Sequence, residues 1–194
     1  MRRLSLSVPV TALSFALIMT LPAAMPAQEP ASTRIKLTRD SVVGAVHCAP
    51  TGKAYAVIHP NGIVDECPLA RDTVIDGHAL PRGTWIQLNP DAMLTAAWLP
   101  RDVELQGLPC KGTGYKGWSV RFHADGHLAL CFLSRDAEID SVPCLGGSFL
   151  RELRGSTHVT LDATGRLRSC RLSRAATIDG RAYPKGARIN RGGS

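Results

Sequence analysis

Aromatic residues are scarce in this chain: three Trp, three Tyr and four Phe among 194 residues. A large core built on rings is therefore excluded, and small units that need other staples are expected. Sustained helical periodicity is missing, which argues against a bundle. No G-x-S-x-G, H-E-x-x-H or phosphate-binding glycine loop occurs. The close Cys-x-x-Cys pairs of zinc sites are absent too. Carboxylates such as Asp65 and Glu66 are neighbours in an extended run, where successive side chains diverge. These absences favour a noncatalytic protein with no cofactor and no metal. A secreted inhibitor of another protein and an undetected hydrolase are the alternatives.

What is present begins with a targeting pattern. Arg2 and Arg3 precede an uncharged apolar run, Leu4 to Leu21, and a small-residue segment around Pro22-Ala23-Ala24 follows. This is the layout of a secretory signal peptide, expected over residues 1–27, with a short linker at 28–36. A membrane anchor is the competing reading, since the run approaches spanning length. No cysteine lies near the cleavage region, so no lipid anchor is expected. Without Arg2 and Arg3, 21 Lys and Arg stand against 16 acids, a net charge of about +5. That favours solubility and weak attraction to anionic surfaces. The expected location is the periplasm or the cell exterior.

One phrase recurs. Leu37-Thr38-Arg39-Asp40, Leu69-Ala70-Arg71-Asp72, Leu99-Pro100-Arg101-Asp102, Leu133-Ser134-Arg135-Asp136 and Leu172-Ser173-Arg174-Ala175 are five copies at steps of 30 to 39 residues. Turn pairs precede the later copies: Asn61-Gly62, Asp91-Ala92, Asp125-Gly126 and Thr164-Gly165. Each is flanked by alternating runs, and Asp-Gly tolerates positive φ at both central positions, as a tight hairpin requires. Residues 37–190 are thus expected to form an all-β domain: about four tandem hairpin units plus a terminal partial unit. In the phrase, Leu should face the core. Asp should bond amides of the turn it begins. Arg should be solvated or lay its stem on apolar surface, with an anion-binding ladder of five Arg as the rival reading.

Six cysteines fill two slots of the unit. Cys48, Cys110 and Cys144 lie eight residues after the phrase's Asp; Cys67, Cys131 and Cys170 lie two before the next phrase's Leu. The unit starting at Leu69 lacks both, with Leu80 and Ala97 in their places. Slots filled in pairs and emptied in pairs imply bridges Cys48–Cys67, Cys110–Cys131 and Cys144–Cys170, as suits an oxidising compartment. His123 and His127 flank the Asp125-Gly126 turn. A two-residue turn would put them on opposite faces, unsuited to a shared metal. His59 occupies the slot of His123.

Two units carry insertions after the closing Gly, at Gly114–Trp118 and Phe149–Gly155. Insertions in repeat arrays gather on one face, often the binding face. Tyr115, Lys116, Trp118, Arg151 and Arg154 are the candidate binding residues, with an anionic glycan, an envelope component or another protein as partner and no nucleic acid expected. Strand initiation or core filling by Trp118 and Phe149 is the competing account.

The tandem hairpins with Asn61-Gly62 and Asp125-Gly126 turns resemble MORN-type repeat proteins and related secreted bacterial hairpin-repeat proteins. The resemblance covers residues 37 to 190 in pattern, with a longer period. It implies a scaffold for contacts with proteins or membranes, without a transferable site.

Overall fold

The computed structural model of the protein describes residues 31–112, 119–147 and 157–191. Among them there is no helix, and the architecture is all-β. One antiparallel sheet takes ten strands: β1 (Thr33–Ile35), β4 (Ala56–Ile58), β5 (Val64–Pro68), β8 (Trp85–Leu88), β9 (Leu94–Trp98), β12 (Val120–Phe122), β13 (Leu128–Phe132), β16 (His158–Leu161), β17 (Leu167–Arg171) and β20 (Arg188–Asn190). They lie side by side in that order, a meander four hairpins long with a single strand at each edge.

The connections between hairpins are themselves hairpins. Five two-stranded ribbons pair β2 (Ser41–Val43) with β3 (Val46–Cys48), β6 (Thr73–Ile75) with β7 (His78–Leu80), β10 (Val103–Leu105) with β11 (Leu108–Cys110), β14 (Ala137–Ile139) with β15 (Val142–Cys144), and β18 (Ala176–Ile178) with β19 (Arg181–Tyr183). Each of these connections, rich in Asp, Gly and Pro, thus holds two three-residue strands. The first strand of the sheet, Thr33–Ile35, lies inside the segment expected to be linker. It corresponds to the strand that runs into every later phrase.

Four of the five ribbon turns are two-residue turns with both central φ positive: Asp76 (+48°) with Gly77 (+79°), Gln106 (+48°) with Gly107 (+77°), Asp140 (+49°) with Ser141 (+61°), Asp179 (+49°) with Gly180 (+76°). The sheet turns differ from expectation. At Asp125-Gly126 only Gly126 has positive φ (+83°). Gly126 N–H donates to His123 O, and His123 N–H to His127 O. The loop is one residue longer than a two-residue turn, so His123, rather than Ala124, opposes His127. The same hydrogen bonds recur at His59–Ile63, Asn89–Met93 and Asp162–Arg166. A bulge follows each of these turns, the usual partner of a turn closed by a left-handed residue.

The core lies between the ribbons and one face of the sheet, in a single apolar cluster. All five phrase leucines are in it, from Leu69, Leu133 and Leu172 at 0% exposure to Leu37 at 8%. Full burial of such a side chain contributes about 1.5–3 kcal/mol. Ribbon is tied to sheet at both ends. At its tip, Leu94 N–H donates to the Asp76 carboxylate (2.6 Å), Leu128 N–H to Gln106 Oε1 (2.9 Å) and Leu167 N–H to Asp140 (2.7 Å). These satisfy backbone donors beside the bulges. At its base, Cys48–Cys67 and Cys144–Cys170 are disulfides with Cα–Cα distances of 5.8 and 5.7 Å. Each removes about 3 kcal/mol of unfolded-chain entropy on the loop-closure account.

The third expected bridge, Cys110–Cys131, is not formed: both residues are buried free thiols. The backbone repeats the bonded units all the same, since Cys110 pairs with Leu133 as Cys48 does with Leu69 and Cys144 with Leu172. The Cys110 thiol is hydrogen-bonded to Cys131. That bond, then burial and the neighbouring thiol's charge, pushes its pKa far above the ordinary range. In the unit without cysteines, Leu80 and Ala97 fill the slots at 1% and 0% exposure.

The phrase Asp was expected to cap its own turn. Instead it reaches across the ribbon to an amide ten residues on: Arg82 N–H to Asp72 (2.7 Å), Gly112 N–H to Asp102 (3.0 Å), Gly146 N–H to Asp136 (2.9 Å). The two terminal copies depart in ways the chemistry explains. Ten residues after Asp40 stands Pro50, which has no N–H, and Ala175 has no carboxylate.

Candidate functional site

The phrase arginines, Arg39, Arg71, Arg101, Arg135 and Arg174, are all exposed. Each phrase follows the strand beside the preceding ribbon. Arg174 pairs with Glu138 of β14 at 3.3 Å, and Arg101 lines a shallow groove of about 260 Å³ with Val74 and Ala79 of the β6–β7 ribbon. Val74 is 68% exposed, so an arginine stem beside it covers apolar surface. The expected cover role is seen at Arg101; Arg174 is instead solvated and paired with Glu138.

The histidines act as tethers. His59 and His123, which share a slot, place Nε2 2.9 Å from Leu88 O and 3.0 Å from Leu161 O. Each joins its turn to the following hairpin. His78, 6% exposed, bonds Gly126 O at 2.9 Å and packs on Phe122 with ring centroids 4.6 Å apart. Among the described residues no group of three or more His, Cys, Asp or Glu could hold a metal ion.

The candidate binding residues Tyr115, Lys116, Trp118, Arg151 and Arg154 lie outside the described residues. Their segments leave the described chain at Gly112 and Gly147 and re-enter at Ser119 and Thr157, directly before β12 and β16. Gly112 and Gly146 are required at the exits. A Cβ on either would sit 2.0 Å from the carbonyl oxygen of Arg101 or Arg135, because the chain there crosses the phrase backbone.

Those re-entry points adjoin a row that sequence reasoning missed. Ile86, Ala97, Cys131, Val159, Cys170 and Ile189 point into the core. Their neighbours one residue toward the strand ends bearing the insertions therefore point out of the opposite, outer face. In register they are Trp85↔Trp98, Phe132↔His158 and Arg171↔Arg188. Ser119, one residue before β12, falls between Trp98 and Phe132. The row crosses seven strands, a span of about 29 Å at the usual strand spacing. Every member except Arg188 is half-buried. It passes from indole to phenyl to imidazole to guanidinium.

The signal for this row was in the sequence. Trp98, Phe132 and Arg171 each stand one residue before a phrase Leu, a slot whose occupants run Lys36, Pro68, Trp98, Phe132 and Arg171.

The cationic end is a connected polar site. Arg188 Nη2 donates to His158 Nε2 (2.6 Å) and to Ser169 Oγ (3.3 Å), which in turn bonds Thr160 Oγ1 (2.8 Å). Because guanidinium has no acceptor, His158 Nε2 must accept, which fixes its proton on Nδ1. Arg171 Nη1 donates to Gly186 O at 2.7 Å, while the buried Nε of Arg171 and that of Arg191 lack a hydrogen-bond partner. Thr160, Arg168, Ser169, Asn190 and Arg191 line a groove of about 260 Å³ beside this network. Farther along the same face stands Arg121, whereas Asp65 and Glu66 lie near the opposite edge. At that edge Arg34 of β1 and the following Lys36 share the face with Asp65 and Glu66, so charge of both signs stands there, with the aromatic residues in the middle and arginines at the other end.

Comparison with known protein families, curated proteins and solved structures found no match for this chain.

Proposed function

We propose that this protein is an exported, noncatalytic binding scaffold of the periplasm or cell exterior, and that the outer face of its ten-stranded sheet is the working surface. The observation that carries this reading is the register of Trp85, Trp98, Phe132, His158, Arg171 and Arg188 on one side of a stapled sheet. Strands hold side chains more rigidly than loops do, so such a row is preorganised for an extended partner. The two disulfides are consistent with an oxidising location.

The test is binding of the purified mature chain to isolated cell envelopes and to a glycan array. Retention on either, diminished by Trp98→Ala or Arg188→Gln, is expected. Absence of retention on both would overturn the reading.

A further inference from the structure

One seam between ribbon and sheet is bonded unlike the others. In three units the residue after the second ribbon strand donates its N–H to the sheet: Ala49 to Pro68 O, Lys111 to Phe132 O and Leu145 to Arg171 O. The phrase donates back to the ribbon, from Ala70 to His47 O, Ser134 to Pro109 O and Ser173 to Pro143 O. In the unit starting at Leu69 both donor positions are proline, Pro81 and Pro100, and proline has no N–H. Among the described residues the bridges Cys48↔Leu69, Cys110↔Leu133 and Cys144↔Leu172 have no counterpart between Leu80 and Leu99. This is also the unit without cysteines.

The groove of about 260 Å³ beside Arg101 opens at this seam. Val74 and Ala79 stand on one side of it and Arg101 and Val103 on the other, with the buried Leu80 and Pro81 between them. The acid that lines it, Asp72, already accepts from Arg82 N–H at 2.7 Å. Ala79 C=O holds the place of the accepting His47, Pro109 and Pro143 carbonyls, and Pro100 offers it no donor. A backbone acceptor in that position is open to a ligand's N–H. Arg101 is unmatched as well. Arg174 pairs with Glu138, the middle residue of β14, at 3.3 Å. In β6 that middle residue is Val74, 68% exposed, and Arg101 forms no ion pair among the described residues.

We infer that this groove binds an extended acidic peptide segment of a partner protein. The segment donates a backbone N–H to Ala79 O, sets a carboxylate on Arg101 and packs an apolar side chain between Val74 and Val103. Main-chain bonding combined with side-chain contacts is how extended peptides are recognised on β structure. The groove belongs to the ribbon layer, on the other side of the molecule from the outer sheet face, and its occupancy does not depend on that face binding anything.

The probe is the peptide acetyl-Val-Glu-Val-Glu-amide, titrated by NMR against the full mature chain with its disulfides. It should bind and shift the amide resonances of Val74, Ala79 and Val103. The neutral peptide acetyl-Val-Gln-Val-Gln-amide should bind about tenfold more weakly, and Arg101→Gln should erase that difference. Two variants borrow residues from the same slots of other units, so the fold should tolerate them, as circular dichroism checks. Val74→Glu gives Arg101 the internal partner that Glu138 gives Arg174, and should weaken binding about tenfold. Pro100→Ser supplies the N–H that Ser134 and Ser173 supply, occupies Ala79 O and should weaken binding too. Arg174→Gln should change nothing. Equal binding of the two peptides, equal loss in Arg101→Gln and Arg174→Gln, or binding unaltered in both Val74→Glu and Pro100→Ser would overturn the inference. So would a dissociation constant for the acidic peptide weaker than about 1 mM. Binding of phosphatidylglycerol vesicles without binding of the peptide would also overturn it, assigning the ribbon layer to a membrane surface instead.

Discussion

Cys110 and Cys131 face each other as hydrogen-bonded thiols in the slot where the two other cysteine-bearing units hold a disulfide. Their backbones are in the bonded register already, so closing the bond requires little more than an oxidant. In protein oxidised in air, mass spectrometry after denaturing alkylation should find six cysteines in three bridges. Two alkylated residues at Cys110 and Cys131 would refute this. In the reduced, folded protein, the thiol pair should resist alkylation at neutral pH, because burial and the mutual hydrogen bond disfavour the reactive thiolate. A thiol whose pKa is raised in the fold stabilises the native state below its ordinary value of 9.0 and loses that advantage above it. Protein carrying this pair reduced should therefore weaken above about pH 9, and the bridged form should not.

The ribbons predict unequal costs for one substitution. Asp72 accepts a 2.7 Å hydrogen bond from Arg82 N–H, so Asp72→Ala should cost about 1 kcal/mol in chemical denaturation. Asp40 holds the same place in the phrase but faces Pro50, which has no N–H. Asp40→Ala should fall within about 0.5 kcal/mol of neutral. Equal costs would mean that the cross-ribbon bond is not what the phrase's Asp provides.

The phrase and its period made the units, the core leucines and two of the three cysteine bridges legible, because each repeats at a fixed slot. The ribbons were harder to see. Their strands are three residues long, and turns such as Gln106-Gly107 and Asp140-Ser141 lack the usual Asn-Gly or Asp-Gly pair. The partner of Asp72 lies ten residues away across a hairpin, beyond any local turn rule. The outer row was hidden for another reason: Trp85 meets Trp98 only when the β8–β9 hairpin closes, and Arg188 meets Arg171 only when β17 and β20 pair across a ribbon. Sequence spacing favoured the inserted loops, whose chemistry is conspicuous, over a row spread one residue per strand.

Two glycines separate clash from strain. At Gly112 φ is ordinary, yet a Cβ would lie 2.0 Å from Arg101 O. Gly112→Ala must displace backbone and should cost about 3 kcal/mol or more. At Gly126 nothing lies within 4 Å, but φ is +83°. Gly126→Ala should cost only the left-handed penalty, about 1–2 kcal/mol. Urea unfolding of the two variants should rank them in that order.

Ala92 stands where the other sheet turns have Gly62, Gly126 and Gly165, and it adopts φ of +64°. The turn therefore carries a left-handed penalty of about 1–2 kcal/mol that glycine would relieve. Against this, glycine adds unfolded-chain entropy of about 0.4–1 kcal/mol. Ala92→Gly should leave a net gain of about 0.5–1 kcal/mol, read as a higher denaturation midpoint with an unchanged slope. A lower midpoint would show that the unfolded-state term dominates.

The turn at Asp162 should respond to acid. Its Oδ1 accepts from Thr164 Oγ1 at 2.7 Å, Thr164 N–H at 2.9 Å and Arg166 N–H at 3.0 Å. The hydroxyl of Thr164, then the Arg166 amide, holds the carboxyl below its ordinary 3.8, against a small opposing effect of burial. These hydrogen bonds favour the charged form in the fold and not in the unfolded chain. Their contribution is present above the ordinary carboxylate value and is lost as pH falls through the lower folded one. The carboxylate carbon of Asp162 should therefore titrate by NMR below 3.8, and Thr164→Val should move the midpoint back toward that value because it removes the largest cause. An unmoved midpoint in Thr164→Val would assign the depression to the backbone amides instead.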